Sequence, residues 1–317
     1  MSKLKDVVGI VLSAGYGTRL KPFTDHLPKP LVPLLDKTPL WHQIALLKKA
    51  GINEIYLNIH FMPHIFRAYL KNNKLENIQC AFEANILGTG GGIKNIINMF
   101  GIKKPIIVLN GDTVSNINLD DMWSEYVSSD CDAMMLLIRD DTIPYENAVF
   151  CNEEFEVKYI KQKPRCLSGL SKYKFLGIHI LNPSVFKYLP DNGCINRETY
   201  PVLIKNSYKL LGYITKKESL DIGTPENLYK ANIRLLKSRL ETPVFTCSYI
   251  SKKRDKNGNF LGKRIKMVNS FVKNSVISDN VLITNSIIVD SIVFPNTKIS
   301  NERVKRCVAN NEYRYII

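Results

Sequence analysis

No stretch of this 317-residue sequence approaches the ~20 consecutive apolar residues that a membrane span needs. Its first apolar run, Val7 to Ala14, is too short for a signal-peptide core followed by a cleavage site. A soluble, cytoplasmic protein with no membrane partner is therefore expected. Cysteine is sparse. The seven residues Cys80, Cys131, Cys151, Cys166, Cys194, Cys247 and Cys307 are odd in number and scattered, with no C-x-x-C pair and no histidine nearby at metal-ligand spacing, so they read as reduced cytosolic thiols. Acidic residues are in short supply, 29 against 44 lysines and arginines, and the resulting net charge of +15 calls for an anionic partner. Nucleic acid is not expected as that partner, because no recognised motif or basic-aromatic array occurs. Also missing are the third glycine of a Rossmann fingerprint, whose place is taken by Leu20, and any G-x-x-x-x-G-K-[ST] sequence. Neither standard dinucleotide binding nor P-loop chemistry is supported.

Apolar residues make up 45% of the chain, enough for one large core and a smaller second unit. From the start, short Val- and Ile-rich runs alternate with amphipathic stretches, the pattern of a doubly wound, mostly parallel α/β sheet. Strands are predicted at Val7–Leu12, Ile55–Ile59, Gln79–Phe82, Ile106–Asn110 and Ala133–Ile138. Helices are predicted around Leu40, Ile44 and Leu47, ending at Gly51, and at Met62–Leu70, Gly92–Met99 and Leu119–Ser128. The pattern changes after residue 240. The basic, polar segment Ser251 to Lys266 predicts an exposed linker. Beyond it, residues 274–283, NSVISDNVLI, align without gaps on residues 290–299, DSIVFPNTKI, and this repeat predicts stacked coils of a small parallel β-helix. The expected division is a catalytic domain over 1–245, a linker over 246–266 and a short β-helical domain over 267–317.

The first predicted strand runs straight into Ser13-Ala14-Gly15-Tyr16-Gly17-Thr18-Arg19. Glycines at the carboxyl end of a strand let backbone N–H groups approach phosphate oxygens, and a helix N-terminus nearby would add to the attraction. Arg19, Lys21 and Lys29 are spaced among Pro22, Pro28 and Pro30, which stiffen the loop and limit the entropy lost when it orders around a ligand. Arg19 supplies a fork suited to phosphate and Lys29 a point charge.

The segment SAGYGTRLKPFTDHLPKP, residues 13–30, resembles the G-x-G-T-R-[LM]-x-P-x-T-x-x-x-P-K-P motif of the nucleotide-sugar pyrophosphorylases, which join a sugar 1-phosphate to a nucleoside triphosphate. The resemblance extends through residues 7–233. Family members with a β-helical C-terminal unit, such as mannose-1-phosphate guanylyltransferases, resemble the whole chain, which implies a left-handed parallel β-helix that is a candidate surface for pairing subunits. It implies that Leu12, Ala14, Gly15, Gly17, Thr18, Arg19 and Lys29 hold the triphosphate. Asp112, in Asn110-Gly111-Asp112 after a buried-looking strand, sits where ligands bind in open α/β folds. Asp221 resembles the family's other metal-binding aspartate, so Mg²⁺ on Asp112 and Asp221 is the expected cofactor.

The segment from Glu83 through Gly88 and Thr89 to Gly92 resembles the family's base-reading loop. An ionised Glu83 only accepts hydrogen bonds, and guanine offers it two adjacent donors where uracil offers one, so guanine is the expected base. Muramic-acid-1-phosphate uridylyltransferases resemble the same loop, and non-catalytic regulatory proteins share the fold. Lys161-Gln162-Lys163-Pro164 resembles the family's E-K-P, which assigns Lys163 to the sugar phosphate but leaves Gln162 where a glutamate usually contacts sugar hydroxyls. The family's glycine under the sugar ring is absent near Asn147-Ala148. Gly177 resembles a second sugar-side glycine, while His179 reads as structural.

Overall fold

The computed structural model describes residues 4, 6–75, 77–217, 219–237, 241–242 and 244–317. They fall into two compact units: residues up to Gly15 with Leu46–Ser219, and Tyr16–Ala45 with Leu220–Ile317.

In chain order the strands and helices up to residue 214 are β1 (Val8–Leu12), α1 (Pro39–Lys49), β2 (Ile55–Ile59), α2 (Pro63–Asn72), β3 (Gln79–Phe82), α3 (Gly88–Phe100), β4 (Ile106–Asn110), β5 (Thr113–Ser115), α4 (Leu119–Ser129), β6 (Ala133–Arg139), β7 (Ala148–Cys151), β8 (Val157–Ile160), β9 (Ser171–Leu181), α5 (Tyr200–Lys205) and β10 (Leu210–Ile214). The first unit is built on a sheet ordered β10-β6-β9-β4-β1-β2-β3, with β7 and β8 added on β9. Neighbours from β4 to β3 run parallel, while β9 is antiparallel to β4 and β6. Parallel strands buried on both faces carry near-continuous apolar runs. Val8, Ile10, Ile106 and Val108 accordingly lie in one core cluster with Met135 and Leu137. This arrangement leaves the carboxyl ends of β1, β2 and β4 side by side.

One boundary differs from its expectation in a way that matters for the site. Helix α3 begins at Gly88 rather than Gly92, so the glycine-rich segment is its first turn. The cause is tertiary. The N–H groups of Gly90 and Gly91 both donate to the Gly193 carbonyl, and the Gly193 N–H donates back to Leu87, so backbone packing against residues 190–195 overrides glycine's poor helix propensity.

The second unit contains the proline-rich loop and the C-terminal part of the chain. After β11 (Ser219–Asp221), helix α6 (Pro225–Leu236) opens as Thr224-Pro225 suggests: the Thr224 hydroxyl accepts the Asn227 N–H at 3.2 Å. Asn232 of α6, fully buried, accepts the Leu35 N–H at 2.8 Å and donates to the Pro33 carbonyl at 3.2 Å, anchoring the end of the loop.

Residues 246–266 keep their lysines and arginines exposed, as expected, but they carry regular structure where a linker was expected. They form α7 (Cys247–Lys253), capped by Thr246, then a turn closed by Asp255, and β12 (Phe260–Leu261), with Phe260 1% exposed. Asn259 completes this by donating to the Val272 carbonyl at 2.8 Å. Local side-chain partners satisfy the backbone of a segment whose charge suggested solvent.

The repeat is the expected parallel β-helix, with a period of 16 residues. Strands β13 (Lys266–Val268), β14 (Phe271–Lys273), β15 (Val276–Ile277), β16 (Leu282–Thr284), β17 (Ile287–Val289), β18 (Ile292–Val293), β19 (Lys298–Ser300), β20 (Arg303–Lys305) and β21 (Cys307–Ala309) form, with β12, three parallel sheets in which each residue pairs with the one 16 further on. The antiparallel strand β22 (Arg314–Ile316) closes the last coil. Val272, Ile277, Ile283, Ile288, Val293, Ile299 and Val304 fill the interior. Among the described residues no helix is long and apolar enough to cross a membrane, and all seven cysteines are free.

Candidate active site

The residues singled out from the sequence lie in both units. In the first unit, β1 delivers Leu12 half-buried, Ser13 and Ala14 buried, and Gly15 exposed with open space where a side chain would begin. Gly111 packs directly on this loop start, its N–H donating to the Leu12 carbonyl at 2.9 Å. Asp112 is thereby held beside the first residues of the loop that follows β1, at the carboxyl ends of β1 and β4. Gly177 joins them from β9. Its φ is +80°, and a Cβ there would lie 2.8 Å from Thr113 Oγ1 and 3.0 Å from Asn110 Nδ2. The glycine lets β9 come within contact of the residues that flank Asp112.

A buried polar chain ties the loop that follows β1 to the glycine-rich turn. Asn58, at the end of β2, accepts the Ser13 N–H at 2.7 Å through Oδ1 and donates to Glu83 Oε1 at 2.8 Å through Nδ2. Glu83 Oε2 accepts the Leu87 N–H at 3.0 Å. With Glu83 only 2% exposed, the reading of its carboxylate as a group presented to the base is corrected: burial turns it inward, where it holds two loops in place. Gly88 and Thr89 are engaged in the same way. A Cβ on Gly88, whose φ is +73°, would lie 2.5 Å from the Gly193 carbonyl oxygen, and Thr89 Oγ1 accepts the Ile195 N–H at 3.0 Å. Sequence reasoning missed Asn58 and residues 190–195. An asparagine ending an otherwise apolar strand was the available signal for the first, and nothing local marks the second.

In the second unit, the loop does not run into an α-helix. Thr18–Leu20 form one 3₁₀ turn that exposes Thr18 and Arg19. Thr24 Oγ1 donates to the Gly17 carbonyl at 2.9 Å and folds the loop back, so that Gly17 lies against Lys29. Lys29 is 8% exposed, a lysine largely withdrawn from water within a proline-flanked turn. Asp221 and Arg19 meet around Gly223, where a Cβ would be 2.8 Å from Asp221 Oδ1 and 3.2 Å from Arg19 Nη2. Phe23, inside the loop, packs on Phe294 of the β-helix with ring centroids 5.0 Å apart.

Lys163 lies exposed in the first unit, 5.7 Å from the centroid of the Tyr145 ring. Lys172 of β9 approaches the same ring at 5.2 Å. His179 is fully buried in the core against Tyr200, and burial pushes its imidazole down to about 3, so it is neutral at physiological pH. That matches its structural reading. Among the described residues no three His, Cys, Asp or Glu side chains gather into a metal cage. Carboxylates such as those of Asp112 and Asp221 are hard oxygen donors of the kind Mg²⁺ takes alongside phosphate oxygens and water.

Residues 8–238 match a family model described as Nucleotidyl transferase. The chain is 32% identical over 235 residues to Mannose-1-phosphate guanylyltransferase 1 of Arabidopsis thaliana, covering 71% of this chain and 63% of that relative. It is 27% identical over 243 residues to the mannose-1-phosphate guanylyltransferase of Mycobacterium tuberculosis, covering 75% of this chain and 67% of that one. Among solved structures, HddC from Yersinia pseudotuberculosis complexed with GMP-PN superposes with a TM-score of 0.58 at 25% identity, over 71% of this chain and 97% of that one. The chain thus spans a little under two thirds of the length of the Arabidopsis relative. With the family model matched across the sheet and on through α6, the chain belongs to the nucleotidyl transferase family.

Proposed function

We propose that this protein transfers a nucleoside monophosphate from a nucleoside triphosphate to a sugar 1-phosphate, releasing pyrophosphate, with GTP as the donor. The observation that carries this reading is the packing of Gly111-Asp112 on the first residues of the phosphate loop. The choice of guanine draws on the names of the relatives and on the GMP-PN in the HddC complex, and not on Glu83, whose carboxylate is buried and bound to Asn58 and Leu87.

In this proposal an ionised oxygen of the sugar 1-phosphate attacks the α-phosphorus. A new P–O bond forms to the sugar phosphate, and the bond from the α-phosphorus to the bridging oxygen breaks in line. The nucleophile arrives already deprotonated, so no general base is needed. The residues of the chain contribute positioning and charge. Loop N–H groups at Ala14 to Thr18 receive phosphate oxygens. Arg19 offers two parallel donors to the departing pyrophosphate, and Lys29, withdrawn from solvent, adds a positive charge that water screens little. Asp112 and Asp221 are the proposed ligands of Mg²⁺, which when bound supplies Lewis-acid neutralisation of phosphate charge. The cytoplasm, with its reducing conditions, suits a chain whose seven cysteines are all free.

The test is pyrophosphate release with Mg²⁺, each of the four nucleoside triphosphates and mannose 1-phosphate alongside other sugar 1-phosphates. GTP is expected to lead the panel, and a lead by UTP would move the base assignment. Asp112→Asn is expected to lower turnover by at least about a hundredfold with an unchanged circular dichroism spectrum. Near-normal turnover would remove Asp112 from the metal site.

A further inference from the structure

The side of the first unit assigned to the sugar carries an unusual arrangement of positive charge. Tyr145, in a short turn opened by Pro144, stacks on Phe150 of β7 with ring centroids 5.9 Å apart and planes 13° from parallel. Phe150 belongs to a small buried cluster with Ile143 and Ala148, so the tyrosine ring is fixed from beneath while 36% of the residue remains exposed. Two ammonium groups address this one ring: Lys163 from the loop after β8 and Lys172 from β9.

Each is within reach of a cation–π attraction, which at an exposed site is worth about 0.5–1 kcal/mol. That attraction holds the lysines near the ring without neutralising either. Among the described residues neither lysine forms an ion pair, and Glu146, beside Tyr145 in sequence, pairs with neither. Next to Lys163 stands the neutral Gln162. Two like charges drawn to one aromatic ring repel each other, and an anion placed among them relieves that repulsion. One of the two lysines is already assigned to the 1-phosphate, which leaves the other without a counter-charge.

We infer that the sugar side of this site accepts a sugar 1-phosphate bearing a second anionic group, a carboxylate or a phosphate, that Lys172 holds beside Tyr145 while Lys163 takes the 1-phosphate. The inference rests on the transferase reading given above. It names a class of acceptor distinct from neutral hexose 1-phosphates. The neutral Gln162 suits the same specificity, because a carboxylate there would repel the substrate.

Matched pairs of acceptors test it: mannose 1-phosphate against mannose 1,6-bisphosphate, glucose 1-phosphate against glucuronic acid 1-phosphate, and N-acetylglucosamine 1-phosphate against N-acetylmuramic acid 1-phosphate. Pyrophosphate release is measured with GTP and with UTP. In at least one pair the anionic member is expected to have a kcat/KM about tenfold above its neutral counterpart, the value of one charge-assisted hydrogen bond. Lys172→Met is expected to collapse that ratio toward one, and Lys172→Arg to restore it, with thermal melting confirming that both variants fold. A neutral member equal or superior in every pair overturns the inference and leaves the transferase reading standing. So does Lys172→Met lowering both members of a pair alike, since Lys172 would then serve the shared 1-phosphate. Absence of pyrophosphate release with every acceptor and both triphosphates, from folded wild-type protein, overturns the transferase reading and the inference with it.

Discussion

Two regions of this molecule force the backbone into the left-handed region and solve the problem with different residues. At the start of α3 it is Gly88, with φ +73°. At the corners of the β-helix it is mostly asparagine: Asn269, Asn285 and Asn301 at one corner, with φ of 47°, 47° and 57°, and Asn280 and Asn296 at another, both at 60°, while Arg264, Asp290 and Arg306 hold the same kind of angle at equivalent positions. The difference lies in what surrounds each turn. Around Gly88 the carbonyl of Gly193 occupies the place of a side chain, while at the corners there is room outside the coil and a ligand for an amide in the next turn. Asn280 Nδ2 donates to Asn296 Oδ1 at 3.0 Å and Asn285 Nδ2 to Asn301 Oδ1 at 3.2 Å. A backbone angle alone tolerates exchange among a few residue types, whereas an angle combined with a backbone contact admits glycine only.

The sharpest way to break this comparison is Gly88→Ala. It is expected to cost about 3 kcal/mol or more, because the left-handed angle and the 2.5 Å approach to Gly193 are both violated. Urea unfolding measures it, and Gly88→Asn should fare no better although asparagine suits the angle. A rescue by asparagine would mean that the angle, not the contact, governs the position.

The next effect in size concerns the polar chain behind the same turn. Asn58→Ala leaves the Ser13 N–H and one oxygen of the buried Glu83 without their partners, at a cost of about 2–3 kcal/mol. The same variant should raise KM for the nucleoside triphosphate, since Ser13 begins the loop proposed to hold it. Loss of stability with unchanged KM would separate the two loops functionally. The smallest effect is expected in the β-helix. Asn285→Gly keeps the angle and loses one exposed amide contact, so its change in unfolding free energy should stay under about 0.5 kcal/mol. A cost matching that of Gly88→Ala would erase the distinction.

These contrasts also explain what was legible in the sequence. Strands β1 to β4 and β6 were, because buried parallel strands write long Val- and Ile-rich runs. The β-helix was, because its coils repeat the same side chains every 16 residues. The first turn of α3 was not. Its glycines read as a loop by propensity, and the partner that makes them helical, Gly193, is about a hundred residues away. Glu83 was misread for the same reason: a glutamate in a loop signals an exposed carboxylate, and only the fold reveals Asn58 and Leu87 around it. Asp255, Asn259 and Phe260 organise a segment whose lysines and arginines suggested a linker. On the side proposed for the sugar, Lys163 was visible through its motif, while Lys172 and Tyr145 come together only through the pairing of β7 with β9.

The contact of Phe23 with Phe294 makes the loop over residues 16–30 sensitive to the register of the coils. The ring that steadies it belongs to the third coil of a repeat array, in which each coil packs only on its neighbours. A coil deleted or slipped by 16 residues would set a different side chain against Phe23. The β-helix is therefore more than a cover at the end of the unit: its coil count fixes which side chain the loop rests on.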